Sequence, residues 1–143
     1  MAMALIADVQ PGVYIGSGDG LESGPFVARI EVSPAPNGGL LIDYEATSRE
    51  EGLQHREHTI LSAGPDGRDV LLVAHSESPF VTEMIAIEPG SSHFRQREPL
   101  GPYDLEIVIE IPEPGRVAYA WHWAERGEPP VEQSKADVRL VGS

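Results

Sequence analysis

The chain has 143 residues, no cysteine, 41% apolar residues and a formal net charge of −13, with 23 acidic residues set against nine arginines and one lysine, Lys135. The lack of cysteine removes disulfide frameworks, thiolate metal centres and thiol nucleophiles, and suits a reducing compartment. So acidic a surface repels phosphate backbones and anionic lipid, which argues against nucleic acid and membrane surfaces as partners. Length and apolar content suit a single domain, residues 1–143, with one core. Met1 to Gln10 lacks a basic n-region and a long apolar run, and no later stretch approaches a membrane span, so a soluble cytoplasmic protein is expected.

Residues 1–11 read as a short lead-in. Met3, Leu5, Ile6 and Val9 could form one helical turn that plugs a barrel end, and Pro11 stops it. The stretch Gly12-Val13-Tyr14-Ile15-Gly16-Ser17-Gly18-Asp19-Gly20 then organises the rest. Glycine at every second position clears one face of a strand, so that another backbone or a side chain from across a barrel approaches closely there. No helix follows to supply a dipole, which sets aside a phosphate-binding loop.

From Pro25 to Ser33 the chain alternates, with Phe26, Ala28, Ile30 and Val32 on one face and Val27, Arg29 and Glu31 on the other. Pro34-Ala35-Pro36-Asn37-Gly38-Gly39 is the strongest turn signal, because proline presets φ and Asn-Gly accepts positive φ. The next strand, Leu40 to Thr47, turns Leu40, Ile42, Tyr44 and Ala46 one way and Leu41, Asp43 and Glu45 the other. Leu53 to Ser62 follows. Gly64-Pro65-Asp66-Gly67 closes a further hairpin into the apolar run Val70 to His75. Val81 to Ile87 and the short His93 to Arg97 come next. Asp104 to Ile111 then shows the clearest period of two, with Leu105, Ile107, Ile109 and Ile111 inward. Val117 to Ala124 places Val117, Tyr119, Trp121 and Trp123 on one face, and Ser134 to Val141 ends the chain. About ten strands joined by short turns, with no helix beyond a single turn, predict an all-β, antiparallel up-and-down barrel. Closure removes the edges that aggregate.

The chain resembles the nitrobindin-like, fatty-acid-binding-protein-like members of the lipocalin-like calycins, ten-stranded barrels some of which carry heme. That family opens on Gly-x-Trp-x-Gly-x-Gly-x-Gly, matched here by Gly12, Tyr14, Gly16, Gly18 and Gly20 with tyrosine for tryptophan. Its aliphatic-aromatic strand is matched by Leu40-Leu41-Ile42-Asp43-Tyr44, and its His-x-Glu strand by His55-Arg56-Glu57. Its C-terminal aromatic strand is matched by Tyr119 to Ala124, and its final strand by Ala136-Asp137-Val138-Arg139. The family's heme-ligating histidine falls at Gln133, which is not a usual axial ligand. The resemblance thus implies a ligand-holding barrel. No cofactor is the main expectation, with heme on His75 or His122 the lesser one.

The aromatic stripe is a floor for an apolar molecule, since aromatic rings offer rigid contact area and an indole N–H holds a polar end. We therefore expect a small, mainly apolar ligand buried against Tyr14, Tyr44, Tyr119, Trp121 and Trp123, with a polar anchor from His58, His75 or Arg95. Two other readings stand beside it. One is a barrel enzyme that isomerises or cyclises a small molecule through a cavity histidine and carboxylate. The carboxylates considered are Asp43, Glu45, Glu57 and Glu83, whose pKa would rise if turned inward. An inward His and Glu at hydrogen-bonding distance would favour that enzyme. The other reading is a ligand-free structural or interaction protein with a filled interior. His55 and His58 face opposite ways on a strand, so no metal site is expected on that pair. His75-Ser76-Glu77-Ser78 reads as a turn approach, and Val27 or Val108 on an outer face would permit a homodimer.

Overall fold

The computed structural model describes residues 4–99 and 101–142. Ten strands, β1 (Gly12–Gly20), β2 (Gly24–Pro34), β3 (Leu40–Ser48), β4 (Gly52–Ser62), β5 (Val70–His75), β6 (Thr82–Ala86), β7 (His93–Gln96), β8 (Tyr103–Glu113), β9 (Arg116–Glu125) and β10 (Val131–Gly142), follow a helical turn α1 (Ala4–Asp8). Each strand pairs antiparallel with its neighbours in sequence, and β1 pairs with β10, so the sheet closes as an up-and-down barrel. The predicted architecture is the observed one. The largest extensions beyond the expected ranges are in two strands: β8 takes in Tyr103 and Pro112–Glu113, with a register irregularity between Glu110 and Glu113. β10 starts three residues early, ahead of an irregularity between Glu132 and Ser134.

The turn chemistry acts where it was read. Gly38, at φ 90°, donates its N–H to Ala35 O at 3.1 Å, and Gly67, at φ 85°, donates to Gly64 O at 3.3 Å. Such φ values carry a Cβ penalty that glycine escapes. The β1 glycines work differently, through close approach. A Cβ on Gly16 would stand 1.9 Å from Asp137 O of β10, and one on Gly18 would stand 2.3 Å from the Phe26 ring.

Because the strands alternate up and down, the barrel has two distinct ends. At one end Leu5 of α1 and Val9 just after it pack into the core, and Tyr14 donates its hydroxyl to Gln10 O at 2.5 Å, tying the lead-in to β1. Met3, expected in the same plug, lies outside the described residues. The other end collects the β1–β2, β3–β4, β5–β6, β7–β8 and β9–β10 connections and, among the described residues, has no helix over it. Between the ends the interior is solid. Ile30, Leu61, Leu71, Val73, Met84, Phe94, Ile107 and Tyr119 are fully buried, and they fill the space in which a deep ligand cavity was expected. On the outside, Val27 is exposed and Val108 half-buried.

Candidate functional site at the open end

Strand alternation brings His55, Glu57 and Thr59 of β4 to the inner face, where they meet His75 of β5 and Tyr119 and Trp121 of β9 across the barrel. Glu57 has no exposed surface, yet both of its oxygens are fully used. Oε1 accepts from His55 Nε2 and Trp121 Nε1, each at 3.0 Å. Oε2 accepts from Thr59 Oγ1 at 2.7 Å and from the Tyr119 hydroxyl. Four donors match the lone pairs of one carboxylate, which is how a buried anion is tolerated.

Burial alone would raise the Glu57 pKa, the direction expected for an inward carboxylate. The hydrogen bond and charge of His55, with the bonds from Tyr119 and Thr59, outweigh it, and the carboxyl is held below its ordinary value. Tyr119 moves the other way: desolvation first, then the Glu57 charge, raise its phenol well above 10, so it stays a neutral donor.

His55 is the link between this buried anion and the surface. Its Nδ1 lies 2.8 and 2.9 Å from the two oxygens of Glu77, and its side chain is 14% exposed. Burial pulls its pKa down, but the hydrogen bonds and charges of Glu57 and Glu77 prevail and hold it up at about 9. At neutral pH it is an imidazolium between two carboxylates. Glu77 also approaches His75 Nδ1 at 3.2 Å and accepts from Ser76 Oγ at 2.8 Å. Despite desolvation, the hydrogen bonds of His55 and His75 keep the Glu77 carboxyl well below the usual range. The His75 ring stacks on His55 at 5.9 Å and lies 5.0 Å from the Trp121 ring.

Two buried polar atoms at this end have no partner, His75 Nε2 and Gln96 Nε2. Both side chains point inward, since Val73 and Phe94 two residues before them are in the core. Around the mouth stand Leu21, Leu53, Phe80, Val81, Tyr103 and Val131, all substantially exposed and all in or beside the connections at this end.

The expected site residues separate into three groups. His75, Trp121 and Trp123 line the open end. Tyr14, Tyr44 and Tyr119 are sealed in the core, Tyr14 near the capped end, and offer no free surface to a ligand. His58 and Arg95 face outward, which corrects their reading as interior anchors. The inward neighbours of His58 are Glu57 and Thr59, and it pairs with Asp43 on the outer wall. The inward neighbour of Arg95 is Phe94. Asp43, Glu45 and Glu83 are also on the outer wall, Glu83 pairing with Arg97 at 2.9 Å. Sequence reasoning left His55 and Glu77 out of the site and named Glu57 only among several carboxylates. The His-x-Glu spacing was the available signal, because residues two apart on a strand share a face.

No protein-family model matches the chain, and no curated protein does. Solved structures do. A Mycobacterium tuberculosis protein, Rv2717c, superposes over 99% of both chains with a TM-score of 0.67 at 16% identity. An S-type phycobiliprotein lyase, CPES of Guillardia theta, matches at a TM-score of 0.56 and 13% identity, over 94% of this chain and 89% of its own. A de novo designed fluorescence-activating β-barrel matches at 0.52 and 11%, over 99% of this chain and all of its own. These likenesses are of fold, a calycin-like ten-stranded barrel. No helix among the described residues is long and apolar enough to cross a membrane.

Proposed function

We propose that this barrel binds a small, mainly apolar molecule at its open end, bearing a hydroxyl or carbonyl oxygen. The observation that carries the reading is the pair of buried, unpartnered polar atoms, His75 Nε2 and Gln96 Nε2, on the inner wall of an end rimmed by exposed apolar side chains. Buried polar atoms are almost always partnered, and leaving one unmade costs about 1–3 kcal/mol, a debt an incoming oxygen relieves. Trp121, Trp123 and Leu105 supply the apolar wall. The filled interior limits the ligand to the mouth, and the two carboxylates around one imidazolium favour a neutral or cationic molecule over an anion. The fold neighbours named as a lyase and as a fluorescence-activating barrel lend the reading support. A ligand-free structural protein would have the same filled barrel and would leave both of these inward atoms unpaired beside an apolar rim.

Among the ligands considered for heme, which the nitrobindin-like resemblance implies, His75 alone faces the mouth. Gln133 spends its amide donating to Trp123 O at 3.1 Å, His122 lies on the outward-facing side of β9, and the core beneath the mouth is closed. A second reading is acid–base catalysis, favoured by the inward His55–Glu57 pair at 3.0 Å. With its pKa at about 9, His55 would act as a proton donor to a bound molecule. Conversion of a molecule recovered from the native protein, followed by mass spectrometry and lost in His55→Gln, would support it.

The binding reading is tested with Nile red, a neutral apolar dye that carries a carbonyl. We expect a saturable, one-to-one rise in dye emission, weakened about tenfold or more in Trp123→Ala, since a buried aromatic contact contributes about 1.5–3 kcal/mol. Absence of saturation, or binding indifferent to Trp123→Ala, would overturn it.

A further inference from the structure

We propose that His55, His75 and Glu77 form a binding site for a divalent first-row transition ion, of the zinc or cobalt type, at the open end of the barrel. The inference concerns the same mouth as the binding reading but does not require an organic ligand. One donor atom from each of the three residues lies within 4.8 Å of the others. His55 Nδ1 and His75 Nδ1 both face Glu77, at 2.8 and 3.2 Å. Donor atoms of a tetrahedral zinc site with bonds of about 2.1 Å stand about 3.4 Å apart; the two Glu77 contacts reach that spacing if its half-exposed side chain withdraws by about half an ångström, and the two imidazole donors lie within 4.8 Å of each other.

Two features go beyond proximity. A histidine that ligates a metal through one ring nitrogen normally donates the other N–H to a carboxylate, which fixes its tautomer and ring plane. His55 has that arrangement already, with Nε2 on the fully buried Glu57 and Nδ1 left to point at the candidate site. Glu57 is itself held by Tyr119, Trp121 and Thr59, so the outer shell is rigid. The charge balance is the second feature. With both imidazoles neutral, as metal ligation requires, the carboxylates of Glu57 and Glu77 sum to −2 and match a 2+ ion. Two imidazoles and one carboxylate leave coordination positions on the solvent side for water or a bound oxygen, the pattern of open rather than purely structural sites.

The test is a titration of the full chain with Co2+ alone, followed by its d–d absorption in the visible, and then displacement by Zn2+ followed by calorimetry, with no organic ligand present. We expect one equivalent of Co2+ per chain, bleached by Zn2+. Affinity should fall tenfold or more in Glu77→Gln and in His75→Ala and stay unchanged in His58→Ala, whose partner Asp43 makes the competing pair on the outer wall. Glu77 is half exposed, so Glu77→Gln tests the site without disturbing the core. Absence of a Co2+ spectrum at millimolar metal, or a spectrum lost in His58→Ala and kept in Glu77→Gln, would overturn the inference. Nile red binding measured separately would stand or fall independently of that result.

Discussion

Exchanging Glu57 for glutamine keeps the shape of the side chain and changes one acceptor oxygen into a donor. Every atom facing that carboxylate is a donor: His55 Nε2, Trp121 Nε1, Thr59 Oγ1 and the Tyr119 hydroxyl. Placed towards His55 and Trp121 the amide N–H2 faces two ring donors, and placed towards Thr59 and Tyr119 it requires both hydroxyls to reverse and accept, so either way two of the four bonds to the carboxylate are lost in a buried site. Removing one member of a buried ion pair costs about 3–5 kcal/mol, and the lost neutral bonds add to the upper part of that range. Against a total stability of about 5–15 kcal/mol the variant should remain folded but fragile, its Tm lowered by about 10–15 °C for a chain of this size. Urea melts followed by the emission of Trp121 and Trp123 give the free energy. The same variant should move the His55 ring titration, read by NMR, down from about 9 as one of its two carboxylates is lost. In the wild type the folded-state pKa of His55 is raised above its unfolded 6.5. Its contribution of about 3 kcal/mol is therefore fully present below pH 6.5 and lost as pH rises towards and through 9. A loss under about 1 kcal/mol in Glu57→Gln, with the His55 midpoint unmoved, would refute the argument that this carboxylate organises the open end.

Two further outcomes test other parts of the barrel. Asp69, buried with neither carboxylate oxygen partnered, has its pKa raised by desolvation, so it opposes stability increasingly as pH rises through its folded-state pKa. Asp69→Asn should stabilise the protein by about 1 kcal/mol at neutral pH in urea melts, with the gain fading in acid; a destabilisation there would show that the carboxylate has a partner. Gly16→Ala should cost about 3 kcal/mol, because its Cβ would sit 1.9 Å from Asp137 O of the backbone, whereas Gly142→Ala, with open space around it, should be neutral. Equal effects in thermal melts would remove close strand approach as the reason for the β1 glycines.

Most of the fold was legible because its signals are local. Turn glycines at positive φ, prolines between strands and a period of two in β2, β3, β8 and β9 each depend on a few adjacent residues, and together they count out ten strands. The site was legible only in part. Both faces of β4 are mostly polar, Leu53, His55, Glu57, Thr59 and Leu61 against Gln54, Arg56, His58, Ile60 and Ser62, so hydrophobicity chooses only weakly between the two registers. Pairing against Tyr44 and Ala46 on one side and His75 on the other decided it, turning Glu57 inward and His58 out. The direction of the Glu57 pKa was likewise beyond the sequence. An inward carboxylate is expected to rise; the hydrogen bond and charge of His55, followed by the bonds from Tyr119, 62 residues away in the chain, and from Thr59, reverse the sign. Composition and alternation therefore determined the container. Barrel closure, which brings β4, β5 and β9 face to face, decided which of its polar residues meet and what charge they carry.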